Sequence, residues 1–293
     1  MDSKDFRLLV ALYENSRQSL QSLGRGVSLS APAVRGRLRR LERRGILKGF
    51  WTSIDPVVFG REDLLVFFDG DWSREEAQAA ALDAPDVAWV AWKLDGGITI
   101  ETWSRNVDQS LATLAKVLRQ TPAGHAIAHG TPHNPLSRLD WRIIEAVIDG
   151  PVLSIEDLAA STGLSPKTVR KHLDRMLRTE AVSIVPLLGA LADAGELVYH
   201  IAVFGAASSA ALRRVLGDAF VVHEAQEPPA KYLLCRASDL AEVTTKTHAL
   251  EKLPGVESFR ITLNREMFIG TDFAHGLVRA EISKSALAMP VRS

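Results

Sequence analysis

Apolar residues recur at helical spacing at Phe6, Leu8, Leu9 and Leu12, which predicts a helix over Lys4 to Asn15. A short second helix follows over Leu20 to Gly26. Ser30 is a good N-cap and Pro32 sits in a first turn that tolerates it. Val34, Leu38 and Leu41 then carry the stripe of a third helix until Gly45 ends it. From Ile46 to Ile54 the period switches to alternation among β-forming residues, which predicts a two-stranded wing. Three helices and a wing make a winged helix-turn-helix.

The pattern then changes to β, α, β, β, α, β over Leu64–Asp69, Ser73–Ala84, Val87–Lys93, Ile98–Trp103, Val107–Arg119 and His125–His129. That order predicts a ferredoxin-like split βαβ, with both helices on one face of an antiparallel sheet and an open face that needs a partner. The whole plan then recurs. Asp5-Phe6-Arg7-Leu8-Leu9 reads like Asp140-Trp141-Arg142-Ile143-Ile144, 135 residues on, and the same offset carries Leu29-Ser30 onto Leu164-Ser165, Val34 onto Val169, Leu38 onto Leu173, Arg40 onto Arg175 and Gly70 onto Gly205. Helices are expected at Arg138–Asp149, Ser154–Thr162 and from Ser165-Pro166 to about Arg178, with Gly163 supplying the turn. The second βαββαβ set falls at Leu197–Phe204, Ser208–Gly217, Phe220–Ala225, Lys231–Arg236, Asp239–Leu253 and Glu257–Leu263. The expected fold class is α+β, a tandem duplication of winged helix-turn-helix and ferredoxin-like sensor domain. Its boundaries are 1–60 and 61–130 for the first copy and 136–190 and 191–270 for the second, with the linker Gly130–Pro135 between copies and an unassigned tail at 271–293.

Charge sharpens this plan. The chain is neutral overall, with 35 basic and 35 acidic residues. Yet Arg25 to Lys48 holds eight Lys or Arg against Glu42 alone, while Glu62 to Asp108 holds eleven acids against three bases. Such segregation is expected when one module faces phosphate and its neighbour does not. The single Cys235 cannot form an intrachain disulfide, the start of the sequence is acidic where a signal peptide is basic, and no apolar run is long enough to span a bilayer. A cytoplasmic protein that meets no membrane is expected.

The stretch from Leu29 to Gly60 resembles the DNA-binding end of the Lrp/AsnC (feast/famine) regulators. The residues that carry the resemblance are Leu29-Ser30, Val34, Arg37, Arg40-Leu41-Glu42, Gly45-Ile46-Leu47 and Ile54-Asp55-Pro56. The second copy departs from the pattern at Met176, Leu177, Thr179 and Glu180. The resemblance implies transcription regulation through double-stranded DNA, and a sensor domain that takes a small effector such as an amino acid. It places a weak effector candidate at Asp95, Gly96 and Gly97, where the second copy has Glu227-Pro228-Pro229. It also implies that sensor sheets which pair across a dimer in single-copy relatives pair here within one chain, as a pseudo-dimer able to form homo-oligomers.

A recognition helix fits the major groove with its N-terminal side chains at the base edges. In the first copy Ser30, Ala31, Ala33, Arg35 and Arg37 hold that end, with Arg35 or Arg37 as base reader; Arg39, Arg40, Arg43, Arg44 and Lys48 lie further along, placed for phosphates. In the second copy the candidates are Ser165, Lys167, Thr168, Arg170, Lys171 and Arg175. No catalytic residue, cofactor or metal site is expected: His125, His129 and His133 are four apart but join no carboxylate, and no nucleophile elbow, phosphate loop or HExxH is present. Two alternatives share the architecture, a tetrapyrrole enzyme like the siroheme decarboxylases and an interaction protein that binds ligand but not DNA.

Overall fold

Side-chain caps set where the helices begin. A computed structural model describes residues 1–189 and 197–287. In the first unit α1 (Ser3–Glu14) opens on a capping box between Asp2 and Asp5, and Ser19 and Ser30 cap α2 (Leu20–Val27) and α3 (Ala31–Arg43). The α2–α3 turn is tight enough that a Cβ at Gly24 would collide with the carbonyl oxygen of Leu29. In the second unit Ser137, Ser154 and Ser165 cap α6 (Arg138–Asp149), α7 (Ile155–Thr162) and α8 (Pro166–Arg178), and Gly163 takes the left-handed conformation that ends α7.

The wing departs from expectation. After β1 (Leu47–Ile54) the chain does not fold back as a hairpin. Asp55 caps the amide of Val57 in a short 3-10 turn begun by Pro56, which steers the chain into the sensor domain. The partner of β1 is instead β6 (Val182–Leu188) of the second copy, antiparallel from Leu47↔Leu188 to Ile54↔Val182. Each copy contributes one strand to a shared two-stranded sheet, and Pro186, which has no N–H, is tolerated because no third strand follows.

Each sensor domain is a ferredoxin-like βαββαβ. The first contains β2 (Glu62–Phe68), α4 (Arg74–Asp83), β3 (Val87–Lys93), β4 (Ile98–Ser104), α5 (Val107–Leu118) and β5 (Gly124–Ala128). The second contains β7 (Leu197–Phe204), α9 (Ser209–Leu216), β8 (Ala219–Gln226), β9 (Pro229–Ala237), α10 (Leu240–Glu251) and β10 (Ser258–Thr262). Strand alternation sends Leu64, Val66 and Phe68 under one pair of helices, and Tyr199, Ile201 and Val203 under the other. The opposite faces meet each other. Phe67 lies 6.1 Å from Tyr232 by ring centroid, Ala126 packs with Ala225 and Ala230, and a bridge joins Ile127 to Glu227.

The C-terminal stretch also corrects the expected boundaries. The chain leaves the second sheet at Thr262, and β11 (Asn264–Ile269) pairs with β3 at the edge of the first sheet, giving the order β11-β3-β4-β2-β5 beside β10-β7-β9-β8. The tail then forms α11 (Thr271–Leu287), which buries Val278 and packs Phe273, Ala274 and Leu277 into the core of the second helix-turn-helix. The expected boundary at 190/191 and the last six residues, 288–293, lie outside the described residues. The docking is crossed. The first helix-turn-helix shares its core with Val198, Leu234 and Val222 of the second sensor, whereas the second shares its core with Ala88, Trp89 and Trp103 of the first.

Candidate nucleic-acid interface

Helix α3 buries Val34 and Leu41 and packs the half-buried Leu38 against its two predecessors, and at about 100° per residue this leaves Pro32, Gly36, Arg39 and Arg43 on the opposite, exposed side. Ser30, Ala33 and Arg35 are exposed and Ala31 half-buried at its N-terminal end, where Ser30 Oγ accepts the Ala33 amide. A shallow surface depression is lined by Gly36, Arg39, Glu42 and Arg43. On and at the start of α8, Ser165, Pro166, Lys167, Arg170, Lys171, Asp174, Arg175 and Arg178 are exposed, with Thr168 half-buried and hydrogen-bonded to Ser165.

Two expected DNA contacts are turned elsewhere. The Arg37 guanidinium donates to Asp2 at 2.7 Å and to Asp5 at 2.8 Å, and Arg40 donates to both oxygens of Asp5 at 2.8 and 3.0 Å. Asp5 is buried, so its charge demands such partners. Arg37 thus clasps α1 to α3, and Arg40 joins it with its outer edge still exposed. The second copy repeats the device: buried Asp140 lies 2.7 Å from His172 Nδ1 and 2.6 Å from Arg175. Burial drives the Asp140 carboxyl up, but hydrogen bonds from Ser137, His172 and Arg175 outweigh it and hold the group below the ordinary carboxylate range. Sequence reasoning missed these carboxylates, although the signal was present in an acid and a base kept 35 residues apart in both copies.

The remaining candidates divide. Arg44 ends α3 as its C-cap and is exposed. Lys48 sits on β1 with its Nζ 3.3 Å from Glu266, which Arg74 also holds at 2.7 Å, so it ties the shared wing to the sensor edge. Asp95, Gly96 and Gly97 form the β3–β4 turn: Asp95 accepts the Gly97 amide, and Cβ atoms at Gly96 and Gly97 would press on the carbonyl oxygens of Gly70 and Phe68. Close packing within the chain thus accounts for both glycines. A cavity of about 40 Å³ lies among Trp51, Ala88, Trp103, Ile148 and Ile269, well below the several hundred Å³ typical of small-molecule sites. Among the described residues no group of three or more His, Cys, Asp or Glu could hold a metal. His129 sits between Glu62 and Glu227, and His133 pairs with Asp55, so the three spaced histidines do not converge.

A polar cluster between the sensor sheets was not foreseen. Glu101 accepts the indole N–H groups of Trp89 and Trp103, yet burial with the nearby Asp63 charge pushes its carboxyl up to about 8. Burial likewise raises Asp63 to about 7 and lowers His200 to about 4. His223 of the second copy lies 3.7 Å from Asp63 of the first.

Comparison with known proteins bears on the two helix-turn-helix units. Residues 1–42 match the AsnC-type helix-turn-helix domain, and residues 136–182 match a winged helix-turn-helix DNA-binding domain. The chain is 34% identical over 94 residues to the HTH-type transcriptional regulator Rv2324 of Mycobacterium tuberculosis, covering 31% of this chain and 64% of that protein. It is 37% identical over 60 residues to the HTH-type transcriptional regulator LrpC of Bacillus subtilis, covering 20% of this chain and 42% of that one. The matches thus span less than two thirds of either relative. Among solved structures, the siroheme decarboxylase NirDL is similar over 94% of this chain and 99% of its own, at 12% identity and a TM-score of 0.49.

Proposed function

We propose that this chain, whose first helix-turn-helix matches the AsnC type and whose second matches a winged helix-turn-helix DNA-binding domain, is a sequence-specific DNA-binding transcriptional regulator of the Lrp/AsnC kind in which one polypeptide supplies both reading heads. The observation that carries the reading is the exposed cationic side of α3, clasped to α1 through Asp5 and joined to its counterpart through the shared β1–β6 sheet. In this reading Ser30, Ala31 and Ala33 let the helix start approach the groove and Arg35 reads a base edge, where a guanidinium fork can discriminate guanine by about 1 to 3 kcal/mol. Arg39, Arg43 and Arg44 meet phosphates, and Lys167, Arg170 and Lys171 do the corresponding work on α8. Two heads held by a pseudo-twofold call for half-sites about one DNA turn apart, roughly 34 to 36 Å, and because the heads differ the site need not be a palindrome.

The chain acts here as a binding protein and not as an enzyme, in the cytoplasm, with a small effector such as an amino acid acting through the sensor domains and homo-oligomers adding further heads. Selection from a pool of random duplexes, followed by mobility shifts at fixed salt, tests the central reading. Enrichment of an asymmetric site of two unlike halves is the expected result. A pool that stays random while the protein binds all duplexes alike defeats it.

A further inference from the structure

Several glycines around the recognition helices have a reason inside the chain, although Gly26 on α2, like Gly36, does not. Gly24 makes room for the Leu29 carbonyl, and Gly45 and Gly163 adopt positive φ at helix ends. Gly36 has neither reason. It lies in the interior of α3 with helical backbone, it is exposed, and a Cβ built on it meets nothing within 4 Å. A glycine at such a position weakens a helix relative to alanine, because it releases more backbone freedom on unfolding. The fold would be more stable without it.

Its position supplies a reason outside the chain. Gly36 is two residues from buried Val34, about 200° around the helix, at the middle of the outward side. It lines a shallow surface depression together with Arg39, Glu42 and Arg43, so the bare backbone shares that surface with two arginine side chains. The residue 135 further on, at the same place on α8, is the exposed Lys171, which carries a long charged side chain where α3 has none.

We infer that Gly36 is a specificity-determining residue of the first head: its missing side chain lets α3 seat closely against base edges in the major groove, while the second head, with Lys171, rides further out. This rests on the DNA-binding reading above and deepens it. The first head contributes close-fitting readout and the second contributes charge.

The test uses the full chain and the consensus duplex obtained by selection, with a scrambled duplex of equal composition beside it. Gly36→Ala is expected to melt about 2 °C higher or more, to bind the consensus duplex at least tenfold more weakly, and to bind the scrambled duplex as the parent does. Gly276→Ala, at an exposed position in α11 where a Cβ also meets nothing, serves as control and changes neither affinity. A variant that keeps parental affinity for the consensus overturns the inference. So does equal weakening on both duplexes, which would make the contact one to phosphate and not to base edges. Arg39→Ala separates this failure from failure of the larger reading: if it weakens binding while Gly36→Ala does not, α3 still faces DNA and only the role of Gly36 is lost.

Discussion

The two helix-turn-helix units share their inner scaffold and differ on their outer surface. Inside, Asp5 and Asp140 hold corresponding places and each draws two hydrogen-bonding side chains from the recognition helix, Arg37 with Arg40 in one copy and His172 with Arg175 in the other. Outside, Arg35, Gly36, Arg39 and Arg43 of α3 stand where α8 has Arg170, Lys171, Asp174 and Arg178. The contrast separates two kinds of basic residue that look alike in a sequence. Cations facing a buried carboxylate belong to folding, and cations facing away are available to a partner.

The largest effect should come from the inner scaffold. Removing one partner of a buried ion pair leaves the others uncompensated, so Asp140→Asn is expected to lose about 3 kcal/mol in a urea melt at neutral pH. Because the folded Asp140 titrates below its ordinary range, the stability it supplies is present above about pH 4 and is lost as pH falls through the lowered value. The variant should show a shallower acid limb. Asp5→Asn should cost a similar amount, and a silent Asp5 variant would break the claim that both copies use one device.

On the outer surface, replacing Arg35, Arg39 and Arg43 together by alanine should weaken binding to a selected duplex about 100-fold, near 2.7 kcal/mol. The matching set Arg170, Lys171 and Arg178 should cost about tenfold, since Asp174 already offsets charge on that side. The α3 set should lower the slope of log affinity against log salt by about two, one for each of the phosphate contacts made by Arg39 and Arg43. Equal losses from both heads would erase the proposed division of labour.

The sensor sheets differ in the same instructive way. Leu65 pairs with Glu101 in the first sheet, whereas His200 pairs with Leu234 at the matching place in the second. Glu101 titrates at about 8 in the fold because burial favours its neutral form, so its contribution is intact below its unfolded value of about 4.3 and declines as pH rises to about 8. His200 is held neutral down to about 4, so its contribution is intact above about 6.5 and declines as pH falls. The opposed slopes cancel between about pH 4.3 and 6.5, and stability falls above that window. Glu101→Gln should flatten the alkaline side by up to about 4 kcal/mol between pH 5 and 8, and should remove any tryptophan-fluorescence titration that arises from Trp89 and Trp103. An unchanged alkaline slope in that variant would assign it to Asp63 alone.

Much of this was legible along the chain, for definable reasons. Helix caps at Ser30 and Ser165, stripes such as Val34-Leu38-Leu41 and strand alternation are local signals, and the 135-residue repeat multiplied them. The wing was misjudged because alternation over Ile46–Ile54 demands a partner strand without saying which, and β6 lies more than a hundred residues away. For the same reason Arg37 could not be told from Arg35: both sit on a basic helix, and only the position of Asp5 across the α1–α3 contact distinguishes them. The tail had no repeat counterpart because it is what joins the copies, through β11 on the first sheet and α11 on the second helix-turn-helix.

The smallest expected effect tests how equal the copies are where they touch. Arg17, in the loop after α1, donates to the carbonyl oxygens of Pro151 at 2.9 Å and Leu153 at 2.7 Å in the loop after α6. A true twofold would return the contact, but the residue 135 further on is Val152, which is exposed and has no side-chain donor. The two heads are therefore fastened from one side only. Arg17→Ala removes two hydrogen bonds whose net worth is about 1 kcal/mol together, so the loss in a urea melt should be of that size. Affinity for the consensus duplex should fall less than about threefold, because the β1–β6 sheet still joins the units. The informative readout is spacing. With the heads less firmly set, the variant should tolerate one base pair inserted between half-sites better than the parent does, and identical spacing profiles would show that the sheet alone fixes their separation.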